Sequence, residues 1–323
     1  MDDVQSGQSR LDNIRLTEGT DKCMTVFEEI CTRDKENAAA LLNDRYLTFP
    51  CLFILLPHIE SFRLHGRLSP IKQTATRIAA QILKPASSAH SGYLSNKNNA
   101  EYAALTWIVK TGKPEDGLSD DYEEVLDICV SVLINIYKDK SILPDVCDMI
   151  FSRDEKGHNI HSLVWAFFRS SDPYAIKLLA QRMASPRDSK LARRLLGTEA
   201  SAGSDNTKKQ MEAYLKWLDD NDPFLYFTDE SFQLTSSPVF YRIDLDRKYI
   251  QKSASTYAKQ PIVPADSNES KRLAVFRSRE NEEKRILSDY SHTIHKDLSK
   301  WKLWMALPVG EQIKTAMQCC EDV

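Results

Sequence analysis

The spacing of apolar residues along the chain predicts a protein built mainly from α-helices. Between Tyr122 and Tyr137, hydrophobic side chains recur at three- and four-residue intervals and form a wide stripe. Such a stripe is typical of a helix that packs on two sides. Shorter stretches with the same period follow one another from residue 21 to residue 220, whereas the alternation that marks a β-strand is scarce. The expected fold class is therefore all-α, as an irregular α-solenoid or a helical bundle.

The clearest local signal lies in residues 172–197. Asp172 and Pro173 suit the N-cap and first position of a helix, Pro186 ends that helix, and Gly197 suits the C-cap of a second one. This pair resembles the helical hairpin of HEAT and armadillo repeats. The resemblance implies an array of stacked helices that presents an extended groove to other molecules.

Changes in the pattern divide the chain into parts. We expect a flexible leader (1–20), a helical array (21–220), an aromatic-rich extended arm with a linker (221–268), and a C-terminal helical segment (269–323). Alternation between Val239 and Leu245 predicts one short strand or hairpin in the arm. A near-heptad spacing of apolar residues predicts one long C-terminal helix over 269–305.

Charge, cysteine content and hydropathy indicate which partners and which cellular compartment to expect. The formal net charge of −3 gives no global attraction to nucleic acid or anionic membranes. The seven cysteines are scattered without a C-x-x-C pair, which is typical of small buried thiols in a reducing compartment. The longest apolar run, 46–59, contains two prolines and is shorter than the roughly 20 residues that span a bilayer. We therefore expect a cytoplasmic protein without a membrane partner.

The arm is the most distinctive feature, because so many aromatic side chains must be covered by something. In one interpretation the arm clamps the end of the helical array within the same chain. In the other it contributes to a surface that binds a protein partner, and the chain is a non-catalytic interaction or scaffold protein. The residues assigned to that surface are Phe224, Tyr226, Phe227, Phe232, Tyr241, Trp301 and Trp304.

A second hypothesis is binding of nucleic acid. Basic residues are concentrated in the hairpin, and they could contact phosphates if they shared one concave face. The alternative interpretation is a solvated surface opposite the apolar stripe. The residues in question are Lys177, Arg182, Arg187, Lys190, Arg193 and Arg194.

A third hypothesis is an enzyme with a metal site. Carboxylates bracket the arm, and Asp244, Asp246 and Lys248 are similar to the two carboxylates and lysine of nuclease strands. His158 with His161, and Asp289 with His292 and His295, have a helical spacing that metal ligands can use. Glycine-rich phosphate loops and hydrolase motifs are absent from the sequence. We assign no catalytic residue, cofactor or metal on this basis, and the sequence leaves the oligomeric state open.

Overall fold

The computed structural model describes residues 8–84, 98–115, 118–198 and 206–321. Within these ranges the chain forms eighteen α-helices and one two-stranded sheet, which confirms the all-α class. The helices pack against one another, as in a helical-repeat architecture. The chain divides into two compact units, Met1–Ser170 (unit 1) and Ser171–Val323 (unit 2).

Unit 1 consists of short helices that pack mainly against neighbours along the chain, such as α1 on α2, α6 on α7 and α7 on α8. The apolar run 46–59 forms α4 and α5, and each of these helices carries a proline in its first turn. No helix in the described parts of the chain is long and apolar enough to cross a membrane. The bounds are α1 Arg10–Glu18, α2 Thr20–Arg33, α3 Lys35–Leu42, α4 Phe49–Ile54, α5 Leu56–Ser61, α6 Pro70–Ile82, α7 Asn99–Gly112, α8 Asp120–Val132, α9 Leu143–Lys156 and α10 His161–Arg169.

Five cysteines lie in the core of unit 1 as buried free thiols, namely Cys23, Cys31, Cys51, Cys129 and Cys147. This agrees with the expectation from their apolar contexts. Burial raises the pKa of Cys31 to about 11, so that thiol is neutral at physiological pH. The side chains of Cys319 and Cys320 lie outside the described part of the structure.

Helix α1 lies where a flexible leader is expected, and a buried polar cluster accounts for the difference. The Asp12 carboxylate is 1% exposed and accepts hydrogen bonds from the Thr48 backbone N–H (2.9 Å), the Thr48 hydroxyl (2.5 Å) and the Ser9 hydroxyl (2.7 Å). Buried Arg15 is its ion-pair partner at 3.4 Å. Because polar groups anchor α1, its sequence lacks an apolar stripe that would reveal it. Residues 1–7 of the expected leader lie outside the described chain.

Unit 2 begins with the predicted hairpin, α11 and α12. The Asp172 carboxylate accepts a hydrogen bond from the Tyr174 backbone N–H, and Gly197 adopts the left-handed conformation at φ 69°. Both caps therefore form as the sequence predicts. The bounds in this unit are α11 Pro173–Arg182, α12 Ser189–Leu196, α13 Thr207–Asn221, β1 Leu225–Phe227, β2 Tyr241–Ile243, α14 Leu245–Ile250, α15 Ser267–Arg277, α16 Asn281–Ile294, α17 Leu298–Ala306 and α18 Val309–Glu321.

The arm is more ordered than an extended segment. Strands β1 and β2 pair antiparallel, with Leu225 opposite Ile243 and Phe227 opposite Tyr241. The pair of strands fits the short strand or β-hairpin that the sequence predicts. The strand is shorter than the alternating pattern, however, because it ends at Ile243 and not at Leu245. Asp244 caps α14 by accepting a hydrogen bond from the Arg247 backbone N–H at 3.1 Å, so the strand gives way to a helix.

The prediction of one long C-terminal helix is wrong, because residues 269–305 belong to three helices, α15, α16 and α17. Asp297 caps α17 by accepting hydrogen bonds from two backbone N–H groups, and this cap separates α17 from α16. Of the apolar residues in the near-heptad spacing, Leu287 and Met305 lie in a core with residues of α14, α15 and α18. Tyr290, Ile294 and Trp301 pack against that core, and Leu298 is exposed. That core contains Tyr249, Ile250, Leu273, Phe276, Leu287, Trp304, Met305, Val309 and Ile313.

The anchoring of α1 can be tested with Asp12→Ala. The substitution removes the carboxylate that pairs with buried Arg15, which we expect to destabilise unit 1 by about 3 kcal/mol. Trypsin should then cleave the full chain rapidly after Arg10 and Arg15, as measured by mass spectrometry. A matched Asp21→Ala variant, which changes an exposed carboxylate on α2, should be cleaved at the wild-type rate. Equal cleavage of Asp12→Ala and wild type would contradict this account of α1.

Candidate binding cleft

Unit 2 contains a cleft of about 1480 Å³. One wall is formed by α12 and α13, and another by consecutive residues 238–246, which include β2. Residues 259–262 and parts of α15 and α16 complete the lining. Small-molecule pockets usually measure about 300–1,000 Å³, so this cleft is large enough for a segment of a polymer.

A buried lysine connects the elements around the cleft. Lys248 of α14 is 5% exposed, and its ammonium group donates to the Asn221 side-chain carbonyl on α13 at 2.6 Å. The same group is hydrogen-bonded to the Asp289 carboxylate on α16. Because a buried ammonium group needs partners, these two contacts fix the relative positions of three helices.

Aromatic side chains form the wall on the side of α12 and α13. The Tyr241 hydroxyl donates to the Leu196 carbonyl at 2.8 Å and is also hydrogen-bonded to the Tyr214 hydroxyl. Burial raises the pKa of both tyrosines well above the ordinary value, so both hydroxyls stay protonated at neutral pH. The Trp217 ring lies 5.4 Å from the Tyr214 ring and is 39% exposed, so it can contact a ligand.

Among the residues that the structure describes, the lining carries more positive than negative charge. Each of the three acidic side chains is engaged within unit 2: Asp246 with Arg277 at 2.7 Å, Asp289 with Lys248, and Asp244 with Arg247 at 3.6 Å. Burial raises the pKa of Asp244 above the ordinary value, because a desolvated carboxylate is disfavoured. Seven cationic side chains line the same cleft, namely Arg193, Arg242, Lys248, Lys259, Arg277, Lys284 and Arg285.

Four of these cations have no carboxylate within ion-pair distance among the described residues. Arg193 donates to the neutral amide of Gln210 at 2.5 Å, and the Lys259 ammonium group lies 5.2 Å from the Tyr226 ring centre. Lys284 and Arg285 lie next to each other on α16. The cleft is therefore suited to an anionic ligand.

The aromatic residues assigned to a protein-binding surface occupy two kinds of position. Phe224, Phe227, Tyr241 and Trp304 are buried within unit 2, in agreement with intramolecular packing of the arm. Tyr226, Phe232 and Trp301 are half-buried. Of all seven, Tyr226 and Tyr241 line the cleft. Their role in binding a partner stays a prediction.

The basic residues of the hairpin do not converge on the cleft. Lys177 pairs with Asp219 at 2.8 Å, and Arg182 pairs with Asp188 at 3.1 Å. Arg187, Lys190 and Arg194 are exposed, and only Arg193 of the six lines the cleft. Nucleic-acid binding through this hairpin stays a prediction as well.

The residues considered for catalysis in the sequence analysis make structural contacts within the fold. Asp244, Asp246 and Lys248 all line the cleft, but each is engaged in the contacts described above. His158 is hydrogen-bonded to Glu123 in unit 1, while His292 packs edge-on against Phe224. The described residues contain no group of three or more His, Cys, Asp or Glu side chains arranged to hold a metal ion.

Sequence reasoning missed Trp217, Lys259, Lys284 and Arg285 as lining residues. They lie in three separate parts of the sequence, and no motif links them. Only the packing of α13, α14 and α16 brings these parts to one cleft. The adjacent cations Lys284 and Arg285 stand in a strongly charged stretch, where they resemble an ordinary solvated helix face.

Comparisons with protein-family models, with curated protein sequences and with solved structures find no match to this chain. The cleft therefore has to be interpreted from its own geometry and chemistry.

The role of Lys248 can be tested with Lys248→Met, which preserves the length of the side chain. The Asn221 carbonyl then loses its buried donor, and we expect the free energy of unfolding of unit 2 to fall by about 1–3 kcal/mol. Urea unfolding followed by tryptophan fluorescence measures this change. Lys252→Met is the control, because Lys252 is more exposed and its ion pair with Glu269 should contribute at most about 1 kcal/mol. Equal losses in the two variants would contradict the role of Lys248.

His292 should make unit 2 sensitive to mild acid. Burial, and then the nearby charge of Lys248, lower the pKa of His292. The unfolded chain therefore binds a proton near pH 6.5 that the folded chain still excludes, so stability falls as the pH drops below about 6.5. Urea midpoints measured between pH 7.5 and 5.5 should fall more for wild type than for His292→Gln. Parallel pH profiles for the two proteins would refute this expectation.

Proposed function

We propose that this chain is a non-catalytic interaction protein that receives an extended segment of a partner protein in the unit 2 cleft. The observation that carries the proposal is the combination of the size of the cleft, its exposed apolar and aromatic lining, and four cations that have no carboxylate within ion-pair distance among the described residues. Protein-binding sites commonly join aromatic anchors with a polar rim in this way. The carboxylates near the cleft support catalysis poorly, because each one caps a helix or forms an ion pair within the fold.

We further propose that the helices serve as a HEAT- or armadillo-like scaffold in the cytoplasm. Two features support this proposal. Short helices pack on their neighbours along the chain, as stacked repeats do. The buried cysteines of unit 1 are free thiols, which suits a reducing compartment.

Nucleic acid is the second candidate ligand. The same excess of positive charge favours phosphates, and the partly exposed Trp217 ring could stack on a base. We rank it second because most of the aromatic arm is buried, which leaves few rings to stack on successive bases.

Site-specific photo-crosslinking in the native cell tests the proposal. A benzophenone amino acid replaces Val239, which lines the cleft and is 43% exposed. The matched control carries the same group at Leu234, which is 77% exposed in the same arm but lies outside the lining. We expect discrete protein adducts from position 239 that position 234 does not give.

Two outcomes would overturn the proposal. The same adducts from both positions would indicate non-specific contact of the arm. Adducts from position 239 that nuclease treatment removes would favour the nucleic-acid alternative. Charge reversal of Arg193 and Arg194 would then show whether the basic residues of the 172–197 helical hairpin contribute to that binding.

A further inference from the structure

Strand β2 is one edge of the two-stranded sheet, and its residues line the cleft. The Thr228 N–H donates to the Phe240 carbonyl and the Asp244 N–H donates to the Phe224 carbonyl, which fixes the alternation of the antiparallel ladder. In that alternation, the N–H and C=O of Ile243 point away from β1. Within the described residues no partner bonds either group of Ile243.

The opposite edge of the small sheet is already occupied. The Phe227 N–H on β1 donates to the Tyr257 carbonyl at 2.8 Å, and Phe227 forms a bridge with Ala258. At β2, the outward N–H and C=O of Ile243 have no such partner among the described residues and are available to a further strand.

The lining pattern indicates that β2 presents its backbone edge, and not one face alone, to the cleft. Successive side chains of a strand point to opposite faces of the sheet, so a cavity that touches only one face contacts alternate residues. The cleft is instead lined by every residue from 238 to 246. An extended peptide in the cleft could thus lie alongside β2 and bond to its backbone.

The positive charge of the cleft indicates which side chains such a peptide would carry. Lys284 and Arg285 on α16, together with Lys259, line the same cleft without a carboxylate within ion-pair distance among the described residues. Lys284 is half-buried, so an acidic side chain that reaches it would be partly shielded from water. A partner with acidic side chains complements these cations, because opposite charges across an interface steer association and fix register.

We propose that the partner segment adds to the β2 edge as a third strand, bonds to the N–H and C=O of Ile243, and directs acidic side chains toward Lys284 and Arg285. This inference rests on the proposed function, since it specifies how a protein segment occupies the cleft. Strand addition takes affinity from main-chain hydrogen bonds and specificity from alternate side chains. The open edge favours a peptide over nucleic acid, which has no backbone N–H and C=O pattern to pair with it.

The experiment uses the full chain and a displayed library of random twelve-residue peptides. We expect the enriched peptides to combine Asp or Glu with β-branched or aromatic residues. A fluorescein-labelled enriched peptide should bind at least about tenfold more weakly to Lys284→Glu/Arg285→Glu than to wild type. The control Lys300→Glu/Lys302→Glu makes the same change in net charge on exposed residues of α17 outside the lining, and it should bind with wild-type affinity.

The hydrogen bonds between the Ile243 backbone and the peptide backbone can be tested by changing the protein or by changing the peptide. Ile243→Pro removes the outward N–H at an edge position, where proline is tolerated, and should weaken binding about five- to tenfold. Circular dichroism verifies that the variant is folded. If it is not, peptides in which one amide at a time is replaced by an ester give the same information with wild-type protein. One ester position should then weaken binding by a similar factor.

The outcomes separate this inference from the proposed function. If enriched peptides bind in the cleft, as shown by loss of binding to Trp217→Ala, but tolerate Ile243→Pro and every ester, strand addition is wrong and the proposed function stands. Enriched peptides without acidic residues would overturn the assigned charge of the partner. If the library yields no binder while fluorescein-labelled single-stranded oligothymidylate binds, both proposals fail in favour of nucleic acid. If neither probe binds, both proposals fail.

Discussion

The arrangement of unit 2 depends on the ammonium group of Lys248. This group lies where α13, α14 and α16 meet, and it is hydrogen-bonded to Asn221 on one side and Asp289 on the other. A buried cation without such partners would be strongly disfavoured, so the three helices are restricted to arrangements that supply both acceptors. The same arrangement brings Trp217 on α13 and the cations of α16 to one cleft. A contact that stabilises the fold thereby also determines the chemistry of the candidate site.

The core behind α16 limits the arrangement further. Tyr249 is fully buried, stacks on Phe276 at 4.3 Å, and donates its hydroxyl proton to the Gln312 side chain at 2.7 Å. The Ser291 hydroxyl donates to the Tyr249 carbonyl at 2.6 Å and ties α16 directly to α14. Because these polar groups are buried, each needs its partner, and α16 cannot rotate without breaking several bonds. Lys284 and Arg285 therefore face the cleft from a fixed helix.

The sequence predicts the helical class and the 172–197 hairpin well, because apolar period and capping residues are local signals. It fails where the deciding contact is distant. Helix α1 is anchored by a hydrogen bond between Asp12 and Thr48, which lies 36 residues further along the chain. Its sequence has no apolar stripe that would predict a helix. The near-heptad apolar residues fall on two helices, α16 and α17, and most of them pack in or against the core that contains Tyr249 instead of lining one long helix. The cleft could not be predicted at all, since its lining residues become neighbours only through packing.

The central proposal is that a partner segment adds to the β2 edge as a third strand. Its most direct test is amide hydrogen exchange at Ile243, measured by NMR on the full chain with and without a saturating enriched peptide. A strand added to β2 gives the Ile243 N–H an acceptor, so we expect its exchange to slow by at least about tenfold while exposed amides of α17 are unchanged. Unchanged exchange at Ile243 under saturating peptide would contradict the addition of a third strand.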